Sequence, residues 1–239
     1  MSKGIYIIGT DTGVGKTVVS AGLMHLLAEK YRSAYFKPVA SGTVVVNGVA
    51  EAIDAVFVKA ASGFIEKREN ITPFVYKNEV AAHLAARLEQ RPIDVDLIKD
   101  RLQYLKERYE WIIAEGAGGL AVPLNDECYM QYDLIRELGF SCLLVARAGL
   151  GTINHTLLTM HFARSAGLKI KGIIINGFTR SLLERDNVKT IAKLAGVSSI
   201  FKLPALTGVD TEKGQTGNLK EVFEKSIVID EIMAMMDTV

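Results

Sequence analysis

The chain has 239 residues, of which 49% are hydrophobic and 23% are charged, and its formal net charge is +1. This apolar content excludes an intrinsically disordered chain, because such chains have too little apolar surface to bury. The near-zero net charge also disfavours a protein that holds nucleic acid by bulk attraction, so no nucleic-acid partner is predicted.

The cysteines and the apolar runs bear on where the protein works. Cys128 and Cys142 are the only cysteines, and they do not form a C-x-x-C motif. A disulfide framework or a zinc site is therefore not expected, and a cytoplasmic setting is predicted. No run reaches the roughly 18 uninterrupted apolar residues that a membrane span needs, so no membrane partner is predicted.

Short apolar runs alternate with longer periodic segments along the chain. The first half predicts, in order, a strand at 4–8, a helix at 16–30, a strand at 33–36, helices at 54–61, 80–90 and 95–108, and a strand at 111–114. The second half predicts a helix at 132–138, a strand at 142–146, a helix at 154–166, a strand at 170–175, a helix at 182–195, a strand at 199–203, and helices at 219–225 and 230–236.

This alternation indicates the fold class. Strands that are apolar throughout and separated by helices are typical of an α/β protein with a parallel sheet and helices on both faces. No internal repeat, low-complexity tract or linker interrupts the pattern, so residues 1–239 are predicted to form a single domain. Ligands of such sheets bind beyond the carboxyl ends of the strands. The chemistry is therefore expected in the loops after the predicted strands.

The first of these loops, Gly9-Thr-Asp-Thr-Gly-Val-Gly-Lys-Thr17, follows a predicted strand and opens a predicted helix. This context is typical of a phosphate-binding loop, in which glycines let backbone amides approach phosphate oxygens. Lys16 would then bridge the terminal phosphates, and Thr17 would offer its hydroxyl to Mg²⁺. The fold is accordingly predicted to be P-loop NTPase-like, although the usual spacing has a glycine at position 10, where Thr10 stands.

Two other loops at strand ends carry charged residues. Lys37 follows the second strand and would lie over the same sheet edge as Lys16, although a solvated surface lysine fits its tetrapeptide equally well. Two ammonium groups at one site suit a substrate or transition state rich in negative charge. Glu115 ends a later strand, where it is expected to bind Mg²⁺ directly or through water. Its alternative role is to cap a local turn.

Three further positions are less distinctive. Asp54 begins a predicted helix, and its spacing alone favours an N-cap. The segment 149–155, Gly-Leu-Gly-Thr-Ile-Asn-His, is typical of a second anion-accepting loop with accessible backbone amides. Asn176 follows another strand and either hydrogen-bonds a nucleobase edge or forms a turn.

Taken together and in this order, five segments resemble the dethiobiotin synthetase family of the P-loop NTPase superfamily. They are the phosphate loop at 9–17, Lys37-Pro-Val-Ala-Ser-Gly42, Glu115-Gly-Ala-Gly-Gly119, Gly151-Thr-Ile-Asn-His155 and Asn176. His83-Leu-Ala-Ala, followed by Arg91-Pro-Ile93, is also similar to that family. The resemblance spans residues 4–205, and this combination is more specific than the phosphate loop, which marks only the superfamily.

The resemblance implies an ATP- and Mg²⁺-dependent ligase of biotin biosynthesis that acts on 7,8-diaminononanoate (7,8-diaminopelargonate) and CO₂ or bicarbonate. One amine would form a carbamate, and ATP would convert the carbamate to a carbamic-phosphoric anhydride. The second amine would then close the ureido ring of dethiobiotin. Members of the family are homodimers with the diamine site near the subunit interface, so a homodimer is implied here.

The resemblance also implies roles for individual residues. Lys37 and Lys16 would be catalytic, and Thr17, Asp54 and Glu115 would hold Mg²⁺. The implied nucleotide-binding residues are Gly13, Val14, Gly15, Lys16, Thr17, Val18, Asp54, Glu115, Gly116, Ala117, Gly118, Asn176, Gly177 and Pro204. The implied substrate-binding residues are Thr12, Ser41, Gly118, Gly149, Leu150, Gly151 and Asn154.

The alternative is a P-loop switch ATPase that acts through protein or DNA partners. Such ATPases carry an early lysine in a K-G-G-x-G-K-T loop, but Asp11 stands at that place here. Their membrane-binding versions carry a basic amphipathic tail, whereas the last residues of this sequence include Asp230, Glu231 and Asp237. The ligase is therefore the favoured hypothesis.

Overall fold

The computed structural model describes all 239 residues, which form thirteen strands and ten helices. The strands are β1 Lys3–Gly9, β2 Ser33–Phe36, β3 Val39–Ser41, β4 Thr43–Val46, β5 Val49–Ala52, β6 Phe74–Tyr76, β7 Trp111–Glu115, β8 Ser141–Arg147, β9 Ile170–Phe178, β10 Ser199–Pro204, β11 Val209–Asp210, β12 Gln215–Thr216 and β13 Asp237–Thr238. The helices are α1 Lys16–Ala28, α2 Ile53–Ser62, α3 Arg68–Ile71, α4 Ala82–Leu88, α5 Val95–Lys106, α6 Gln131–Leu138, α7 Thr152–Ser165, α8 Leu182–Leu194, α9 Leu219–Ser226 and α10 Ile229–Met233.

Six parallel strands form the centre of the molecule in the order β10-β9-β8-β1-β7-β2. The short strand β13 adds an antiparallel pairing, in which Gly4 of β1 faces Asp237. β1 is buried at every position after Lys3, and successive side chains of a strand point to opposite faces. Helices α1 and α7 pack on the sheet. Both faces are therefore covered, which confirms the predicted fold class.

The predicted strands of the sheet and their connecting helices are confirmed to within a few residues. The differences lie in short elements that depend on distant partners. β3 and β6 pair in parallel, with Ser41 opposite Tyr76, and three residues are too few for a periodic pattern. The hairpins β4–β5 and β11–β12 are likewise not predicted. The helix predicted at 80–90 begins only at Ala82, because the backbone of Ala81 is still extended.

One cluster of 61 buried hydrophobic residues holds the sheet and the helices together. Burying a large aliphatic side chain contributes about 1.5–3 kcal/mol, so this cluster is the main source of stability. None of the helices combines the length and the apolar character that crossing a membrane would require.

The parallel order brings three strand ends to one edge of the sheet. β7 lies between β1 and β2. Ile7 of β1 pairs with Glu115, and Phe36 of β2 pairs with Ala114, so the three strands end nearly level. The phosphate loop, Lys37 and Glu115 therefore meet at the same edge.

Candidate active site

The loop between β1 and α1 forms a cradle at this edge. Gly15 has a left-handed backbone (φ 99°) as the N-cap of α1, and Lys16 is the first helical residue. The first N–H groups of a helix have no partner within it, so they are available to an anion in front of them. The Lys16 side chain folds back over the loop, where its Nζ donates to the Asp11 carbonyl at 3.2 Å. This is the geometry of a phosphate-binding loop.

Close packing requires glycine at two positions of this region. A Cβ on Gly9 would lie 2.8 Å from the Asp11 carbonyl oxygen and 2.9 Å from a methyl group of Val14. The loop therefore folds tightly over Gly9, although the usual pattern has its first glycine one position later. A Cβ on Gly15 would collide with Nδ2 of Asn176, which donates to the Val14 carbonyl at 3.0 Å.

A set of polar and charged side chains lies beside the phosphate loop. Lys37 Nζ is 2.8 Å from Asp54 Oδ2 and 2.8 Å from Glu115 Oε1. Thr17 Oγ1 is hydrogen-bonded to Asp54 and lies 2.9 Å from Glu115 Oε1. Lys37 and Glu115 expose only 4% and 0% of their surface, so water screens their charges weakly. We call Lys16, Thr17, Lys37, Asp54 and Glu115 the charge cluster.

The charge cluster shifts the protonation equilibria of its members. Burial disfavours the charge on Lys37, but Asp54 and Glu115 outweigh burial and raise the pKa of Lys37 above its usual value. Burial also disfavours the Asp54 carboxylate, but Lys37 holds the pKa of Asp54 below its usual value. Burial, together with the nearby Lys37 ammonium, lowers the pKa of Lys16 to about 8. Lys37 is therefore firmly cationic, whereas Lys16 gains most from an incoming anion.

Asp54 is not an N-cap, so the interpretation that its spacing favours is wrong. α2 begins at Ile53, Ala52 occupies the N-cap position, and no side chain caps this helix. The hairpin β4–β5 leads directly into α2 and brings its first turn to the sheet edge. The Asp54 carboxylate therefore reaches Thr17 and Lys37 instead of the backbone of its own helix.

Three oxygen-bearing side chains of the charge cluster could hold a divalent cation. Thr17 Oγ1 lies against the carboxylates of Asp54 and Glu115, so three hard oxygen donors converge. Such donors fit Mg²⁺, which proteins bind through one or two carboxylates together with phosphate oxygens. Tyr35 donates to the other Glu115 oxygen, Oε2, at 2.8 Å, which turns Oε1 towards Thr17 and Lys37.

The charge cluster lines a cavity of about 400 Å³, which we call the inner cavity. The structure brings many of the predicted site residues together here, including every predicted metal ligand. The predicted residues that line the inner cavity are Thr12, Gly13, Gly15, Lys16, Thr17, Val18, Lys37, Ser41, Asp54, Glu115, Ala117 and Gly118.

The remaining predicted nucleotide-binding residues do not line the inner cavity: Val14, Gly116, Asn176, Gly177 and Pro204. Val14 is buried beneath the phosphate loop. Asn176 touches this loop through its hydrogen bond to Val14, and it pairs in the sheet with Leu203, which precedes Pro204. The ends of β9 and β10 therefore flank the phosphate loop.

A second cavity of about 550 Å³, which we call the outer cavity, adjoins the inner one. The residues that line both cavities are Thr12, Ser41, Asp54, Ala117, Gly118 and Thr211. Three of the predicted substrate-binding residues, Thr12, Ser41 and Gly118, thus lie where the cavities meet. A molecule in the outer cavity would face a phosphate group in the inner cavity.

The other predicted substrate-binding residues lie elsewhere on the chain. Leu150, Gly151 and Asn154 line a separate surface groove of about 630 Å³ at the start of α7. Gly149 precedes them, and its carbonyl accepts a hydrogen bond from Asn187 Nδ2 at 3.2 Å. Within one chain these four residues line neither the inner nor the outer cavity.

Two residues that sequence reasoning does not single out belong to this site. Tyr35 lies two positions before Lys37, and strand side chains alternate between the two faces of a sheet. This alternation predicts that both side chains lie on the same face, and it is the sequence signal that could have identified Tyr35. Thr211 lines both cavities but comes from the turn between β11 and β12. No motif marks Thr211, because only the folded chain brings this turn to the sheet edge.

Comparison with known families and structures agrees with this fold. A family model described as an AAA domain matches residues 3–213. The cell division ATPase MinD from Pyrococcus furiosus has a TM-score of 0.62 at 17% identity, covering 98% of this chain and 100% of that one. A ParA family ATPase from Chlorobium tepidum TLS has a TM-score of 0.57 at 13% identity, covering 94% and 98%. At these identities the likeness shows the fold alone.

Relatives with higher sequence identity indicate the family. The ATP-dependent dethiobiotin synthetase BioD of Clostridium kluyveri is 42% identical over 241 residues, covering 99% of both chains. That of Clostridium acetobutylicum is 38% identical, covering 99% of this chain and 100% of its own. These alignments cover 99% of this chain and so extend past residue 205, where the resemblance noted in the sequence ends. The chain carries the AAA domain that the family model describes and belongs to the dethiobiotin synthetase family.

Proposed function

We propose that this protein is the ATP-dependent ligase that closes the ureido ring of dethiobiotin in biotin biosynthesis. Its substrates would be 7,8-diaminononanoate, CO₂ and ATP, and its products would be dethiobiotin, ADP and phosphate. The names of its relatives support this assignment. The observation that carries it is the charge cluster, in which two lysines and two carboxylates converge beside a phosphate-binding loop.

The proposed reaction brings two anions together. A neutral amine attacks CO₂ and loses a proton, which gives a carbamate. A carbamate oxygen then attacks the γ-phosphorus of ATP, and the bond to ADP breaks, which yields the carbamic-phosphoric anhydride. The second amine attacks the carbonyl carbon, loses a proton and expels phosphate, which closes the ring. Catalysis of this sequence depends mainly on positioning and on charge stabilisation.

The two lysines would have different tasks. Lys37 keeps its proton because Asp54 and Glu115 raise its pKa, so it offers a permanent positive charge to the carbamate and the transferring phosphoryl group. Lys16, whose pKa is lowered to about 8, becomes fully charged when the phosphates of ATP occupy the loop. Together they offset the repulsion between the carbamate and the γ-phosphate.

Thr17, Asp54 and Glu115 would hold Mg²⁺. When bound there, the cation would supply further positive charge for the phosphoryl transfer. The ammonium of Lys37 lies between the same two carboxylates and offsets part of their negative charge. The support for this assignment is the chemistry of the donors, all of which are oxygen atoms at the edge of the phosphate loop.

The nucleotide would extend from the phosphate loop towards the ends of β9 and β10. Backbone amides of residues 13–18 and 116–118 would contact the phosphates. Asn176 and Gly177 would contact the adenine, and Pro204 would border it. The contact between Asn176 and the phosphate loop supports this direction.

The diamine would occupy the outer cavity, where Thr12, Ser41 and Gly118 contact its reacting end. Its carboxylate would bind to the backbone amides of 149–151 and to Asn154. A homodimer would let this loop serve the cavity of the partner subunit. The large exposed side chains of Leu150 (85%) and Leu158 (61%) support an interface at this surface.

The experiment that tests this function measures ADP release by the purified protein with ATP and Mg²⁺. ADP release should require both the diamine and bicarbonate, and mass spectrometry should detect dethiobiotin. A switch ATPase would ignore both compounds and respond to a protein or DNA partner, so hydrolysis that is independent of the diamine would contradict the proposal. All the proposed reactants are small molecules, which fits a cytoplasmic enzyme without membrane or nucleic-acid partners.

A further inference from the structure

The inner and the outer cavity differ in charge. The inner cavity has two lysines and two carboxylates in its lining, whereas the outer cavity has three carboxylates and neither lysine nor arginine. One of the three, Asp54, is ion-paired with Lys37. The other two, Glu79 and Glu212, belong to no ion pair of the protein.

The pairing of two short strands positions Glu79. β3 and β6 run parallel, so the residues that follow Ser41 and Tyr76 leave the pair side by side. Gly42 donates its backbone N–H to the Tyr76 carbonyl at 2.9 Å. A Cβ on Gly42 would lie 3.2 Å from Glu79 Oε1, so this carboxylate lies directly against the residue after Ser41. Glu79 is exposed, so it lies where the outer cavity opens to solvent, which we call its mouth.

The hairpin β11–β12 supplies the second acidic residue. Its turn contains Glu212, and β12 packs against α2, which carries Asp54. The neighbouring cation, Lys213, is bound to Asp210 at 2.9 Å within the same turn. Glu212 lines the outer cavity, and the ion pair of its neighbour Lys213 is with Asp210.

Six of the thirteen residues that line the outer cavity are hydrophobic. Its lining includes Ile53, Val80, Ala81, Ala82 and Val122. Methylene groups pack favourably against such side chains, because contact removes apolar surface from water. The cavity therefore combines apolar side chains with two carboxylates that form no ion pair, a combination that fits an aliphatic amine in its protonated form.

We propose that Glu79 and Glu212 form the ammonium-recognition end of the outer cavity and that they make it selective for an aliphatic diamine. This inference rests on the proposed function. One amine of the pair binds these carboxylates as an ammonium ion, and it loses its proton to water before it attacks the anhydride carbonyl. The lysines of the inner cavity repel a second positive charge, so the amine that faces Lys16 and Lys37 is the neutral one. Only a neutral amine can attack CO₂, so the charge gradient orients the reactive group.

The same carboxylates act on the other end of the substrate. A carboxylate on the aliphatic chain is repelled by Glu79 and Glu212, so the diamine enters with its amines first. Its carboxylate then stays outside the acidic mouth. Different surfaces therefore recognise the two ends of the diamine. Acidic residues bind the amine end, and another surface is left for the carboxylate.

The test compares the steady-state kinetics of wild type with those of Glu79→Gln, Glu212→Gln and the double variant. Both side chains are exposed, so each substitution should raise KM for the diamine about threefold and the pair about tenfold. The kcat and the KM for ATP should change by less than about twofold. Raising the salt concentration should increase KM for the diamine more in wild type than in the double variant, because salt screens the two carboxylates.

Glu127→Gln is the matched control, since Glu127 is also exposed but lines neither cavity; its KM should equal that of wild type. An unchanged KM for the diamine in the double variant, with wild type active, would overturn this inference alone. Wild type that releases no ADP in response to the diamine would overturn the proposed function and this inference with it.

Discussion

The two adjoining cavities show how one sheet edge holds charge in two different ways. In the inner cavity the carboxylates are paired with Lys37 before any ligand arrives, and Glu115 is fully buried. In the outer cavity Glu79 and Glu212 are exposed and lack partners. Buried charges act strongly on reacting groups, but they need an ion-pair partner within the protein. Exposed charges act more weakly, and they remain free to bind a charged ligand. The first arrangement suits catalysis, and the second suits selection.

The largest effect is expected for Lys37→Ala, which removes the central cation of the inner cavity. We expect kcat to fall by about 10²–10³-fold, because the transferring phosphoryl group loses a fixed positive charge. ATP should still bind, since Lys16 continues to hold the phosphates. The measurement is kcat for ADP release beside the Kd for ATP from calorimetry.

Lys37→Ala also leaves Asp54 and Glu115 without their cation, so it should destabilise the fold by about 3 kcal/mol. The assay must therefore run below the Tm of the variant, which calorimetry determines. Lys59→Ala is the matched control. Lys59 lies on α2, the helix that carries Asp54, and it forms a more exposed ion pair with Glu51 of β5. Turnover of Lys37→Ala that equals wild type would remove Lys37 from the catalytic machinery.

Glu115→Gln tests the proposed metal ligands of the inner cavity. The amide has no negative charge, so the Mg²⁺ concentration for half-maximal turnover should rise about tenfold. Glu110→Gln is the control, because Glu110 is exposed and precedes the same strand. An unaltered Mg²⁺ dependence would exclude Glu115 as a ligand.

The lowered pKa of Lys16 predicts the pH dependence of ATP binding. In the free protein Lys16 loses its proton as the pH rises through about 8, whereas the phosphates of bound ATP favour the charged form. The complex therefore holds more protons than the free protein above this pH, and ATP affinity falls as the pH rises. Calorimetry should give a Kd about tenfold higher at about pH 9 than at about pH 7.

Lys16→Arg is the control for this titration, because a guanidinium stays charged throughout this range. Its Kd should not change between the two pH values, whatever its absolute magnitude. A wild-type Kd that is also independent of pH would show that Lys16 keeps its proton in the free protein.

The smallest effect is expected for Tyr35→Phe, which only loosens the inner cavity. Its hydroxyl donates to Glu115 Oε2, so removal should lower the free energy of unfolding by about 2 kcal/mol and kcat by less than about fivefold. Tyr76→Phe, which loses a bond to the uncharged Arg91 carbonyl, should cost about 1 kcal/mol. Urea unfolding measures both, and equal losses would mean that the Glu115 charge adds nothing to the bond.

Sequence reasoning succeeded where a signal is local. The phosphate loop is readable because a strand, a glycine-rich turn and a helix follow each other within a few residues. Lys37 and Glu115 could be assigned to the same edge because parallel strands end together. Asp54 was ambiguous, since an acidic residue at a helix start is usually a cap. Its contacts with Thr17 and Lys37 depend on a hairpin that no pattern revealed.

Composition and periodicity thus determined the α/β sheet and its phosphate loop, since side-chain alternation and helix propensity act between near neighbours. The outer cavity depends on contacts between segments far apart in the chain. Ser41 and Glu79 meet through two three-residue strands, and Glu212 arrives on a hairpin from beyond the last central strand. Such contacts are governed by packing in the folded chain, and this is why the acidic mouth emerged only from the tertiary structure.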